Sequence, residues 1–158
     1  MTSLRSVNLV ALGLPVALMV GALASQFLGG LVPCEMCWWQ RWPHIAAIGI
    51  AAAAFFVPVG QMRRVLIAVA AGGILTSGLI GVYHAGIEYQ WWEGPARCTG
   101  NGGHTLEELL RQTQIVMCDR PQWKFPADAA YGISLAGFNA IISTVGATLI
   151  FLRVGGAR

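Results

Sequence analysis

Four stretches of this chain carry no charge, and each is long enough, or nearly so, to cross a lipid bilayer. They run from Leu9 to Val32, Ile45 to Val59, Val65 to Tyr83 and Tyr131 to Leu152. A hydrocarbon core about 30 Å thick calls for roughly 20 apolar residues per helix. The first stretch is broken only by Ser25 and Gln26, and the second reaches the length if its Trp-rich approach, Trp38 to His44, lies in the interface. A helix that is apolar all round must be buried in protein or in lipid. With 158 residues, 56% of them hydrophobic and only 11% charged, the chain cannot wrap four such helices in protein of its own. The expectation is an all-α membrane protein, a four-transmembrane-helix bundle forming a single integral membrane domain. Its spans are expected at about 9–32, 43–60, 65–83 and 131–152, with outer loops at about 33–42 and 84–130. Arg5 ahead of an apolar run that contains Ala22-Leu23-Ala24 has the outline of a cleaved secretory signal, but the run stays apolar to Val32 and is read as a span.

Four spans put both termini on one side. That side holds Arg5, Arg63, Arg64, Arg153 and Arg158 and no acid, whereas the other holds Arg41, Arg97, Arg111, Arg120 and Lys124 with all seven acids. Five against five is a tie in basic residues. The first five all sit in short segments close to helix ends, where the positive-inside rule is read, which places the termini in the cytoplasm and both cysteine-bearing loops outside, in the periplasm of a bacterium. Arginines split over three short segments make no contiguous basic surface, so no nucleic-acid partner is expected. In the second outer loop, Thr105 and Glu108 fit a capping box, and Leu106, Leu109 and Leu110 share a helical face. A short amphipathic helix on the membrane surface is expected there. Gly100, Gly102 and Gly103 precede it as a joint, and Trp38, Trp39, Trp42, Trp91, Trp92 and Trp123 fit an aromatic belt.

The four cysteines, Cys34, Cys37, Cys98 and Cys118, all lie outside the apolar stretches and on the same expected side. In an oxidising compartment such a set suggests disulfides, and four cysteines permit three pairings. Cys34-Cys37 and Cys98-Cys118 need the least rearrangement. A c-type haem site needs His after the second cysteine of a CxxC, and Trp38 stands there. A zinc site built from all four is conceivable, although nineteen residues separate Cys98 from Cys118. Structural staples are the other alternative, yet a bridge across Cys34 and Cys37 would close almost no loop and add little stability. The small ring makes better sense as a redox centre. Pro43 is best tolerated in a helix's first turn, so the second helix is expected to start near Trp39 or Gln40, with Cys37 at its N-terminal end. There the helix dipole favours a thiolate, and Arg41 is about one turn away. Arg41 could snorkel to the interface, or its guanidinium could stabilise the Cys37 thiolate and a carbonyl oxygen that gains charge on reduction. His84, where the third stretch ends, and His44 read as interfacial polar residues, and His104 as a loop residue.

The ordered pattern Pro33-Cys34-x-x-Cys37-x-x-x-Arg41 after a first apolar helix, followed by two cysteines in the second outer loop, resembles the DsbB family of quinone-linked thiol oxidases. Tyr83-His84-Ala85-Gly86-Ile87-Glu88, Trp91-Trp92-Glu93-Gly94-Pro95 before Cys98, and Cys118-Asp119 ahead of Ile133-Ser134-Leu135-Ala136-Gly137-Phe138-Asn139 extend the likeness over nearly the whole chain. The resemblance implies an inner-membrane enzyme of disulfide bond formation and electron transport. A reduced DsbA-like periplasmic oxidase would attack Cys98 of a Cys98-Cys118 disulfide, and freed Cys118 would engage Cys34. Cys37 would then be released as the thiolate that donates to ubiquinone, or menaquinone, from the membrane pool. Arg41 and His84 would line the quinone site, and no metal is implied. A DsbA couple stands near about −120 mV and ordinary structural disulfides below about −300 mV, so such a disulfide would oxidise DsbA uphill by roughly 8 kcal/mol and a stronger terminal oxidant is needed. The vitamin K epoxide reductase type also couples loop cysteines to a CxxC and a quinone, but its CxxC belongs late in the bundle.

Overall fold

The computed structural model describes residues 3–95, 98, 116–127 and 132–156. Helix α1, Leu4–Phe27, starts on Ser3, whose hydroxyl accepts the Ser6 N–H at 3.2 Å. It stops where the chain turns at Gly29 and Gly30, the latter at φ 68°, a left-handed conformation that glycine adopts without steric cost. Helix α2, Glu35–Ala53, runs into a short 3-10 turn, Ala54–Phe56. Helix α3 spans Gln61–Glu88 and α4 spans Leu135–Gly156. Three helices, α1, α3 and α4, are long and apolar enough to cross a membrane. The first half of α2 carries Glu35, Gln40, Arg41 and His44, and α2 is not among them.

Helix boundaries depart from those expected in an instructive way. Pro43 lies well inside α2 rather than in its first turn, and α2 begins at Glu35, not near Trp39. The cap responsible is a sulfur: Cys34 occupies the N-cap and accepts the Cys37 N–H at 3.2 Å. Helix α1, which is long and apolar enough to cross a membrane, also has an interior proline, Pro15, and membrane helices accommodate one because neighbouring groups re-satisfy the freed backbone. The third helix continues past Tyr83 to Glu88, which carries His84 and Glu88 on helical backbone rather than in a loop.

Helix α3 packs against both α2 and α4, and its contact with α4 is made by small residues. A Cβ at Gly81 would lie 3.0 Å from the Ala136 carbonyl oxygen and the Ala140 nitrogen, and one at Gly78 would meet Thr144 and Ser143. Close backbone approach of this kind is what holds helices together where no hydrophobic force acts between them. The core toward the chain termini is apolar but for Asn8: Leu4, Val7, Ala11, Ala51, Ile67, Ala70, Ile74, Ala147 and Ile150 are buried together. Arg63 and Arg64 finish that end. Arg63 Nε donates to the Val57 carbonyl at 2.9 Å and Arg64 Nη1 to the carbonyls of Val154 and Gly155 at 3.2 and 3.1 Å, satisfying acceptors that the last turns leave open.

At the other end, Lys124–Phe125 (β1) pairs antiparallel with Ile133–Ser134 (β2), with Lys124 opposite Ser134. This two-residue ribbon is the departure from an all-helical architecture among the described residues, and it returns the second outer segment to the start of α4. The amphipathic helix expected around Thr105 to Leu110, the glycine joint before it, His104, Arg97 and Arg111 lie outside the described residues.

Candidate functional site

The site is built where the N-terminus of α2, the C-terminal turns of α3, the first turns of α4 and the segment around Cys118 converge. Cys98 and Cys118 are joined in a disulfide with Cα atoms 4.9 Å apart, and both are buried. Cys34 and Cys37 are free thiols with sulfurs 2.7 Å apart. The Cys34 and Cys118 sulfurs and a ring nitrogen of His84 all lie within 4.8 Å of one another, and the two cysteine pairs pack in one buried cluster. With Cys118 committed to its disulfide, this trio is not a ligand set for a metal ion, because a coordinating sulfur must be a thiolate.

Within the CxxC the two thiols are unequal in acidity. The hydrogen bond between the two sulfurs holds Cys37 below the ordinary thiol range, and the Arg41 charge adds to this while burial opposes it. Cys34 is pushed up by the same hydrogen bond and by burial, and the Cys37 N–H that it accepts only partly offsets them. Cys37 is therefore the more acidic thiol of the pair.

Arg41 is buried, stacked over the Trp38 ring at 5.0 Å, and held by neutral acceptors: Nη1 donates to Gln26 Oε1 at 2.8 Å and Nη2 to the Ala22 carbonyl at 3.2 Å. No carboxylate neutralises it among the described residues. Its charge thus remains available to the cavity it lines, a space of about 270 Å³ walled by Leu18, Cys37, His84, Glu88 and Phe138.

His84 is the end of a buried hydrogen-bonded chain that crosses the bundle. Gln40 Nε2 donates to His84 Nδ1 at 2.8 Å and to the Met36 carbonyl, and Gln40 Oε1 accepts from Asn139 Nδ2 at 2.8 Å. Asn139 Oδ1 in turn accepts from the Ser143 hydroxyl at 2.8 Å and from His44 Nε2 at 3.0 Å, and Asn139 Nδ2 also donates to the Ser77 carbonyl. These partners assign every amide. His84 Nδ1 is consequently an acceptor and Nε2 carries the proton, directed at the Cys34 sulfur 3.6 Å away and Glu88 Oε1 3.8 Å away. The other Glu88 oxygen pairs with the Ser134 hydroxyl.

All six residues singled out in the sequence, the four cysteines, Arg41 and His84, thus meet at one place. Gln40, Ser77 and Ser143 were not singled out, and Glu88 and Asn139 entered only as members of the family-like stretches, with no role given to them. A signal existed for some of them, since polar residues within membrane-crossing helices are costly and mark functional or buried positions. Asn139 and Ser143 interrupt an otherwise apolar run, as Gln26 does in α1.

Comparison with known proteins gives the arrangement its context. The family model described as disulfide bond formation protein DsbB matches residues 4–153. The uncharacterized protein RP370 of Rickettsia prowazekii (strain Madrid E) is 22% identical over 155 residues, covering 94% of this chain and 85% of that protein. No solved structure matches the chain. Three apolar helices and the family match fit a multi-pass inner-membrane protein of disulfide bond formation. A disulfide touching a CxxC, matched by that family over nearly its whole length, leaves one assignment: the chain belongs to the DsbB family of disulfide oxidoreductases.

Proposed function

We propose that this chain reoxidises a DsbA-like periplasmic thiol oxidase and passes the electrons through its two cysteine pairs to a membrane quinone, sustaining disulfide formation in secreted proteins. The observation that carries the reading is the contact between the Cys98-Cys118 disulfide and the Cys34-Cys37 pair, with the Cys37 side opening on a cavity that holds an uncompensated arginine.

The partner's thiolate attacks Cys98, forms a mixed disulfide there and expels Cys118 as a thiolate. Cys118 attacks Cys34 of the oxidised Cys34-Cys37 bond, a Cys34-Cys118 bond forms, and Cys37 leaves as a thiolate. His84 Nε2–H faces the sulfur of Cys34 and stabilises negative charge there whenever Cys34 is the leaving group. Cys37, the more acidic thiol of the pair, is the better leaving group in the forward step. A quinone ring suits the cavity: the volume matches a small aromatic ring, α1 and Phe138 supply apolar walls, and Arg41 and His84 supply donors for ring oxygens. Bound there, ubiquinone or menaquinone would supply the acceptor for two electrons. Arg41 would orient the ring beside Cys37 and hold charge on its oxygen. In this reading the part of α2 from about residue 43 onward belongs to the fourth span, the termini and the Arg63-Arg64 turn are cytoplasmic, and both cysteine loops are periplasmic.

The test is an assay of purified protein in lipid discs with reduced DsbA-like partner and a ubiquinone analogue, read by quinone absorbance. Cys37→Ser is expected to abolish quinone reduction. Wild-type turnover in that variant would refute the reading.

A further inference from the structure

The arm that follows Cys118 is fastened to the loop that precedes Cys34 by one side chain. Gln122 Oε1 accepts the Val32 N–H at 3.2 Å, and Gln122 Nε2 donates to the Val32 carbonyl at 2.7 Å. The amide therefore stands in for a neighbouring β-strand, and its orientation is fixed, because a flipped amide would set donor against donor. Val32 lies two residues before Cys34 and Gln122 four residues after Cys118. On the opposite flank Gln90 Nε2 donates to the Asp119 carbonyl at 3.2 Å, tying the residue after Cys118 to the end of α3. Gln90 reaches it from a left-handed turn, φ 59°, that ends the helix. The Cys118 N–H is held by the Cys98 carbonyl at 2.8 Å. Cys118 is thus bracketed by two glutamine amides, one on the Cys34 loop and one on the helix that carries His84.

We propose that Gln122, assisted by Gln90, is a positioning residue that sets the approach of Cys118 to Cys34 and so the rate of exchange between the two cysteine pairs. The proposal rests on the relay reading above and adds to it a residue that touches neither sulfur. In the step concerned, the Cys118 thiolate attacks the Cys34 sulfur, the Cys34-Cys37 bond breaks, the Cys34-Cys118 bond forms, and the electron pair departs on Cys37. No electrons are lost or gained overall. Such an exchange is intramolecular, so its rate scales with the effective concentration of one sulfur at the other, which held geometry raises. Gln122 is exposed, so its two hydrogen bonds fall at the lower end of the usual range, and their joint loss corresponds to about a tenfold fall in that concentration.

The experiment uses the full chain in lipid discs with Cys98→Ser, so that Cys118 is a free thiol facing an oxidised Cys34-Cys37 pair. Formation of the Cys34-Cys118 bond is followed by acid quench, alkylation and mass spectrometry. Gln122→Met, which keeps the length of the side chain and removes both hydrogen bonds, is expected to slow bond formation about tenfold. Direct reduction of Cys34-Cys37 by dithiothreitol, and the melting temperature, should shift little. Gln122→Glu retains the acceptor for the Val32 N–H and should fall between the two. Wild-type exchange rates in Gln122→Met and Gln122→Glu would overturn the proposal and leave the relay standing, and an equal loss in exchange and in dithiothreitol reduction would overturn it as a general destabilisation. If the Gln122-intact protein forms no Cys34-Cys118 bond, the relay reading fails and the positioning role with it.

Discussion

The two ends of this bundle are packed by opposite rules. Toward the termini the interior is apolar apart from the buried Asn8, with Ala11, Ala51, Ala70, Ala71, Ala147 and Ile74 in one cluster. Toward the cysteines it holds Gln40, Arg41, His44, Ser77, His84, Asn139 and Ser143, all buried or partly so and almost all joined in hydrogen bonds. The apolar end needs only small side chains and close backbones. The polar end gains no stability that an apolar core would not supply, since buried polar groups at best offset their own desolvation. What it provides is orientation: one histidine tautomer aimed at Cys34 and one unneutralised guanidinium aimed at the cavity beside Cys37.

Substitutions at the two ends should therefore fail differently. The largest effect is expected at Arg41. Arg41→His removes a charged donor from the cavity and should raise the KM for a ubiquinone analogue by about tenfold to a hundredfold, the scale of a hydrogen bond to a charged group. Steady-state quinone kinetics checks it. Asn139→Ala deprives Gln40, His44 and Ser143 of partners at once, with a cost of about 1–3 kcal/mol for a group left unpaired. It should also release the His84 tautomer, so that exchange at Cys34 slows along with the loss of thermal stability. Ile74→Val, in the apolar end, should cost about 1 kcal/mol and leave quinone kinetics unaltered. A redox defect in Ile74→Val, or none in Asn139→Ala, would break the contrast. A smaller signature lies in pH. Because the Cys37 pKa is lowered, its alkylation should persist as pH falls below the range where an ordinary thiol protonates, and Arg41→His should narrow that window upward. Alkylation rate against pH reads it directly.

The apolar end was legible in the sequence and the polar end only in part. Three charge-free runs gave helices that can cross a membrane, because length and hydropathy suffice to define them. The start of α2 was not legible. Pro43 carries a strong local signal for a first turn, and the competing signal, a cysteine acting as N-cap, has no distinctive pattern. For the site, the cysteines and Arg41 could be named because their spacing is chemical information in itself. The Gln40-Asn139-His44 chain could not, since its members lie far apart in sequence and only the packing of α2 against α4 shows which polar side chains meet. Gln122 is a further case: nothing local distinguishes it from an ordinary loop glutamine until its amide is seen on the Val32 backbone.

The proposed relay takes electrons in at Cys98-Cys118 and releases them through Cys34-Cys37. It is tested most directly by quinone reduction in Cys118→Ser protein, driven in parallel by a reduced DsbA-like partner and by dithiothreitol. The expected result is loss of the partner-driven reaction with the dithiothreitol-driven reaction retained at Cys34-Cys37. Partner-driven quinone reduction at the wild-type rate without Cys118 would contradict it.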